Sequence, residues 1–178
     1  MRRIFSLAML VVLIGAPVVG QAQSVEVEVD PLPYVFNGFS VGVGLVTDDV
    51  RLDIEAFSIE VPKAMHGNEA FTNRVYGLSI RANYYYRGAE SGWFSGLDLD
   101  LTSFGVTHDE TGETVRKFQI RTGVTPVGYK ASITDRLYVK PWVGVAYVLG
   151  TEPISIGEDT FEQGPFSPFP ALNIGWRL

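Results

Sequence analysis

Cysteine is absent from this chain of 178 residues. That excludes disulfides, thiolate metal sites and cysteine catalysis. Histidine occurs only twice, at His66 and His108, too few for a multi-histidine metal centre. Charge is scarce at 19%, and the 20 acids outnumber the 14 bases, for a formal net charge of -6. Such a balance offers no basic patch for nucleic acid. Beyond the first two dozen residues there is no apolar run of about 18, so no transmembrane helix is expected there. Hydrophobic residues nonetheless reach 46%, which excludes a disordered chain. The mean hydropathy of +0.14 is high for a soluble domain. The length suits a single domain.

The N-terminus reads as an address. Arg2 and Arg3 precede an apolar stretch from Ile4 to Ile14, which Gly15, Ala16 and Pro17 break. Gly20-Gln21-Ala22 supplies the small residues of a cleavage site. This pattern predicts a signal peptide over 1–22 and a mature domain over 23–178. No cysteine follows it, so no lipoprotein anchor is expected.

What the mature region has in abundance is alternation. Val50, Leu52 and Ile54 alternate with Arg51, Asp53 and Glu55. Tyr76, Leu78, Ile80, Ala82 and Tyr84 alternate with Gly77, Ser79, Arg81 and Asn83. Leu97, Leu99 and Leu101 alternate with Asp98 and Asp100, and the same period recurs over 118–126, 137–149 and 170–178. Period two is the strand signature. In all these segments the apolar phase carries no charge. A soluble barrel must show charge on its outer face. Here the arrangement fits an apolar face toward lipid and a polar face toward a lumen. A soluble lipocalin-like barrel would invert every strand.

Strands are predicted over 24–30, 38–46, 50–61, 74–87, 93–105, 115–129, 136–149 and 169–178. The connections between them alternate long and short. This predicts an all-β, eight-stranded antiparallel up-and-down transmembrane β-barrel, with short periplasmic turns and long external loops. Omitting the short first strand would leave a sheet edge unpaired in lipid, so closure requires it. After Ala56 the apolar phase moves to Phe57, Ile59 and Val61, which predicts a bulge there. Pro126 and Pro141 remove ladder donors, and a bulge near the periplasmic rim is expected to absorb both. Tyr84, Tyr86, Trp93 and Trp176 at one rim, and Tyr76, Phe118 and Tyr147 at the other, fit interfacial aromatic belts.

The leader, the eight-strand pattern and the apolar last strand Phe169-Pro170-Ala171-Leu172-Asn173-Ile174-Gly175-Trp176-Arg177-Leu178 together resemble small outer-membrane β-barrels of the OmpA/OmpX/OmpW type. The resemblance covers the whole mature region and lies in pattern and size. It implies residence in the outer membrane of a Gram-negative bacterium and contact with outer-membrane lipid and lipopolysaccharide. The last strand is similar to the signal read by the barrel-assembly machinery, with Leu178 where that signal usually carries Phe. A monomer is expected. The resemblance supplies no activity and no cofactor.

Lumen chemistry is the main candidate site. The register turns Arg51, Arg81, Arg121, Lys140 and Arg177 inward, facing Glu26, Glu28, Asp53, Glu55, Asp98 and Asp100. An eight-stranded barrel is just wide enough for side chains, and buried charges must pair. A salt-bridged polar plug is therefore expected, ahead of a narrow ion path. His66 and His108 fall in predicted external loops as solvated side chains. His108 with Ser103 and Asp109 or Glu110 is a conceivable base, nucleophile and acid, but adjacency in sequence does not make that geometry. Three functions follow: a non-catalytic outer-membrane protein acting structurally or through its loops, a narrow channel or carrier for small apolar molecules, and a lipid A-modifying enzyme. The first is preferred.

Overall fold

A computed structural model describes residues 24–178. The predicted leader lies outside them. Eight strands close a ring: β1 (Ser24–Val29), β2 (Phe39–Val46), β3 (Val50–Val61), β4 (Phe71–Tyr85), β5 (Gly92–His108), β6 (Thr114–Ser132), β7 (Leu137–Leu149) and β10 (Phe166–Arg177). Neighbours in the chain are neighbours in the ring, all antiparallel, and β1 closes it against β10. Two short helical turns, α1 (Leu32–Val35) and α2 (Lys63–His66), lie in the links after β1 and β3. A small hairpin of β8 (Ile154–Ile156) and β9 (Asp159–Phe161) occupies the link after β7.

The inside and outside follow the sequence phase. Ile54 is 62% exposed and Leu97 64% exposed, while their neighbours Asp53 and Asp98 are buried. The outward aromatics Tyr84, Tyr86, Trp93 and Trp176 gather at the end with short turns. Tyr76, Phe118 and Tyr147 stand on the outer face toward the other end. Tyr85, on the phase of Arg81 and Asn83, points inward and is fully buried against Phe94.

Three expectations need correction. No bulge occurs near Ala56, since β3 pairs with β4 in unbroken register from Val50↔Tyr84 to Val61↔Asn73. Phe57, Ile59 and Val61 continue the inward phase of Arg51, Asp53 and Glu55, and pack on buried Phe71, Val75, Phe104 and Val106. The strand does not change direction; the lumen changes chemistry, from charged to apolar. Second, the bulge at the prolines holds only Pro126. Register slips between Val124 and Val127, while Pro141 pairs regularly with Leu172. Ser95 donates to the Pro126 carbonyl at 2.9 Å and stitches the irregular segment. Third, the link between β5 and β6 is short, because these strands run 17 and 19 residues to His108 and from Thr114. That exceeds the roughly 9–11 residues that cross a membrane, so the two strands stand proud of it.

A pair of adjacent substitutions checks the orientation of the wall. Leu99→Arg puts a charge on the outward face, where mid-membrane Arg costs about 2–4 kcal/mol. Asp98→Asn, next to it, changes an inward carboxylate whose oxygens have no hydrogen-bond partner. Leu99→Arg is expected to lose the boiling-dependent gel shift of a closed barrel, and Asp98→Asn to keep it.

Candidate functional site: the charged lumen

The short strand β1 supplies two inward carboxylates, Glu26 and Glu28, spaced by two so that both share one face. Each collects cations from distant strands. Glu26 accepts from Lys130 Nζ at 2.7 and 2.9 Å, from Arg177 Nε at 3.2 Å, and from Arg51. Glu28 lies 2.8 Å from Arg51 Nη1 and accepts from Lys140 Nζ at 2.7 Å and from the Tyr138 hydroxyl at 2.8 Å. Arg51 also donates from Nε to Asp53 at 2.5 Å. Arg51 and Glu26 have no exposed side-chain surface.

Space for this cluster comes from glycine on facing strands. A Cβ on Gly44 would lie 2.5 Å from Arg51 Nε, and one on Gly175 would collide with the Tyr138 ring. The alternation of glycine in β2 is thus a record of large side chains opposite.

A second tier lies nearer the long links. Arg81 pairs with Glu55 at 3.3 Å and stacks over Trp142 at 4.1 Å. Arg121 pairs with Asp100 at 3.0 Å, while Asn83, opposite Arg51 on the short-turn side, donates to Asp53 at 2.9 Å and links the two tiers. Asp98 sits among these groups without a hydrogen bond of its own. All the lumen charges read from the sequence face inward, with Arg177 at the rim, 22% exposed and 3.7 Å from Glu90. Tyr138 and Trp142, on the inward phase of β7 with Lys140, belong to the same network, and so does Lys130, which escapes the sequence reading. Lys130 counts there as part of a turn, because the Pro126 bulge reverses the phase of β6 and brings even-numbered Gly128 and Lys130 inward.

The other end is closed differently. Ile154, Ile156 and Phe161 of the β8–β9 hairpin pack onto Phe71, Val75, Phe104 and Val106 as one apolar cluster. His108 is not a solvated loop residue; it is buried, with its ring edge on Phe71. Its Nε2 lies 3.0 Å from Asp159 Oδ2, and its Nδ1 lies 3.2 Å from Thr111 Oγ1. Thr111 N–H also donates to Nδ1 at 3.3 Å, and Glu113 N–H donates to Thr111 Oγ1 at 3.3 Å. These contacts close the β5–β6 turn and clip it to the hairpin.

The conceivable set of Ser103, His108 and Asp109 or Glu110 is not brought together. Ser103 pairs with Tyr76 and Phe118 on the outward phase, and Asp109 is taken by Lys63 at 2.5 Å and Thr72 at 2.8 Å. Those two donors hold the Asp109 carboxyl below its ordinary value. His66 rests on Phe161, and burial, aided by Lys63, lowers its pKa. Among the described residues no cluster of His, Asp and Glu could hold a metal ion.

The network should carry stability. Glu26→Gln leaves Lys130 buried without its anion, and breaking one side of a buried pair costs about 3–5 kcal/mol. Glu60→Gln, at the outer surface beside Arg74, should cost less than about 1 kcal/mol. Urea unfolding of the two variants in vesicles reads the difference.

No family model matches this chain, and no curated relative is found. Solved structures do match. The N-terminal β-barrel domain of Pseudomonas aeruginosa OprF aligns with a TM-score of 0.53 at 14% identity, over 88% of this chain and 98% of that domain. Neisserial surface protein A aligns with a TM-score of 0.55 at 15% identity, over 87% and 92%. A major outer membrane protein of Thermus thermophilus gives 0.55 at 13% identity, over 87% and 98%. With its ring order, its inward charges and its outward apolar belt, the chain has the fold of the small eight-stranded outer-membrane β-barrels.

Proposed function

We propose that this chain is an integral outer-membrane protein whose lumen is a closed polar plug, acting structurally or through its external rim and not by conduction or catalysis. The observation that carries this reading is the double closure of the lumen. Glu26, Glu28, Arg51, Lys130 and Lys140 fill the short-turn half as buried pairs. The β8–β9 hairpin seats an apolar cap on the other half. An ion entering from either end meets paired charge or hydrocarbon. A balanced, tightly paired lumen has no ring of one charge sign to select ions.

Membrane residence is supported by the wall, where many large apolar and aromatic side chains from Val41 to Trp176 stand exposed on the outward phase. On this reading the short turns face the periplasm and the hairpin faces outside, in contact with lipopolysaccharide. The apolar outward phase of β10 is what the barrel-assembly machinery reads. β1 closes the ring against β10, and the stretch of β10 it leaves unpaired carries Pro168 and Pro170, which cannot donate to a strand of a second copy; this favours a monomer.

The non-catalytic part rests on how the histidines are used. Thr111, His108 and Asp159 stand in the order hydroxyl, imidazole, carboxylate that activates nucleophiles. Here Nδ1 and the Thr111 hydroxyl accept N–H groups of the turn while Nε2 meets the Asp159 carboxylate of the hairpin, so their work is to hold the cap. Lipid A mass spectrometry with and without the protein is expected to show no change.

Two measurements test the reading. Planar-bilayer recordings of the refolded protein should show no regular conductance steps; steady steps would replace the plug with a pore. His108→Ala should keep the boiling-dependent gel shift yet make the hairpin more open to protease. Loss of an assayable lipid modification in that variant would move the protein to the enzymes.

A further inference from the structure

The barrel wall is not of even height. β1 has 6 residues and β10 has 12. Their pairing ends at Val29↔Ile174, so residues 166–173 of β10 have no strand on their β1 side. Across this gap, β2 begins only at Phe39, and the edge of β3 is met by α1, with Glu60 N–H donating to the Phe36 carbonyl at 3.0 Å.

An open edge facing lipid is costly because each unpaired N–H lacks water. The sequence of β10 lowers that cost at the gap by removing donors. Leu178 N–H bonds to Val25 on the β1 side, whereas Arg177 N–H bonds to Arg136 on the β7 side. Even-numbered residues of β10 therefore direct their backbone toward β1. Continuing up the strand, Leu172 N–H is taken by Asp30 Oδ2 at 3.3 Å. The next two positions in that phase are Pro170 and Pro168, which have no N–H to satisfy. The two prolines fall on the phase where a donor would have pointed into the gap. The opening is written into the sequence.

A cavity of ≈ 430 Å³ lies at this place. Its lining includes Val61, Val75, Asn73 and Arg121, which face the lumen, and Phe166 and Pro168, which are on the outward phase of β10. A cavity lined from both faces crosses the wall. Its lining also holds three buried polar atoms without a hydrogen-bond partner: Arg121 Nε, Asn73 Oδ1 and His66 Nε2. His66 Nδ1 accepts from Asn68 N–H at 3.2 Å, which leaves the hydrogen of the neutral ring on Nε2. Two N–H groups, one on a cation, ask for an anion; the amide of Asn73 serves either polarity after a flip. Around the gap the outer wall is apolar, with Phe39, Val41, Tyr147 and Phe166 all exposed.

We propose that the gap between β10 and β3 is a lateral port, and that the cavity takes a long-chain monocarboxylate from the membrane. Its carboxylate sits among Arg121, His66 and Asn73, and its hydrocarbon tail passes beside Phe166 and Pro168 into the lipid. This rests on the outer-membrane reading above, and adds to it a ligand reached from the side, past a lumen that stays closed end to end.

The test uses the full mature chain refolded into phosphatidylcholine nanodiscs, with radiolabelled dodecanoate as probe and dodecyltrimethylammonium as the cationic comparison. Saturable dodecanoate binding at one site per barrel is expected, with none for the cation. Arg121→Gln should weaken binding at least tenfold. Because that variant strands Asp100, Ala64→Trp is the second; Ala64 is exposed on α2 and lines the cavity, so the indole obstructs it without entering the wall. Loss of binding in Ala64→Trp with the gel shift retained supports the port. A heat-shifted barrel that binds no dodecanoate, binds the cation equally, or binds dodecanoate unchanged in both variants overturns the port alone. A wild-type chain with no heat shift overturns the membrane reading and the port with it.

Discussion

Two carboxylates on a six-residue strand hold the ring together. β1 is the shortest wall strand, and its backbone ladder to β10 covers only Glu26↔Arg177 to Val29↔Ile174. Its side chains extend that grip across the lumen, to Arg51 on β3, Lys130 on β6, Lys140 on β7 and Arg177 on β10. Buried charge is costly unless each group is paired and hydrogen-bonded. Glu26 and Glu28 meet that condition by sharing several cations each. Tyr138 and the glycines facing it and Arg51 are arranged around this requirement.

The lumen above the network obeys a different rule. Where the strands rise past Glu55, the inward side chains become Phe57, Ile59, Val61, Val75 and Phe104. The hairpin completes that apolar half as a small conventional core. The barrel is thus sealed twice, by electrostatics below and by hydrocarbon above, and the proline-edged gap opens only into the upper half.

The strands were legible because a wall between lumen and lipid forces a strict period of two. Even the weak first strand followed from the need to close the ring. The failures have physical causes. Phe57, Ile59 and Val61 look out of phase with Leu52 and Ile54, because an inward apolar residue and an outward one are alike in a hydropathy pattern. Lys130 was hidden by the bulge at Pro126, which reverses the faces of everything beyond it. The β8–β9 hairpin is three residues a side, too short for periodicity to register. Its docking made His108 a buried clip where the sequence offered only a loop histidine. The phase of each strand assigns charges to the lumen face but not their partners, since which cation meets which acid depends on the stagger of the strands.

The grouping of cations around β1 also sets an order of events during assembly. The acids that organise the lumen are made first; Arg51 follows within two strands, but their other partners come late: Lys130, Lys140 and Arg177 lie 104, 112 and 151 residues further along the chain. Contacts that distant carry the full entropy of loop closure and form slowly. Until the last strand arrives, Glu26 and Glu28 face a lumen still short of countercharge. Neutralising the interior and shutting the ring are one and the same step, and a barrel that stalls before it keeps an acidic seam open along its first strand.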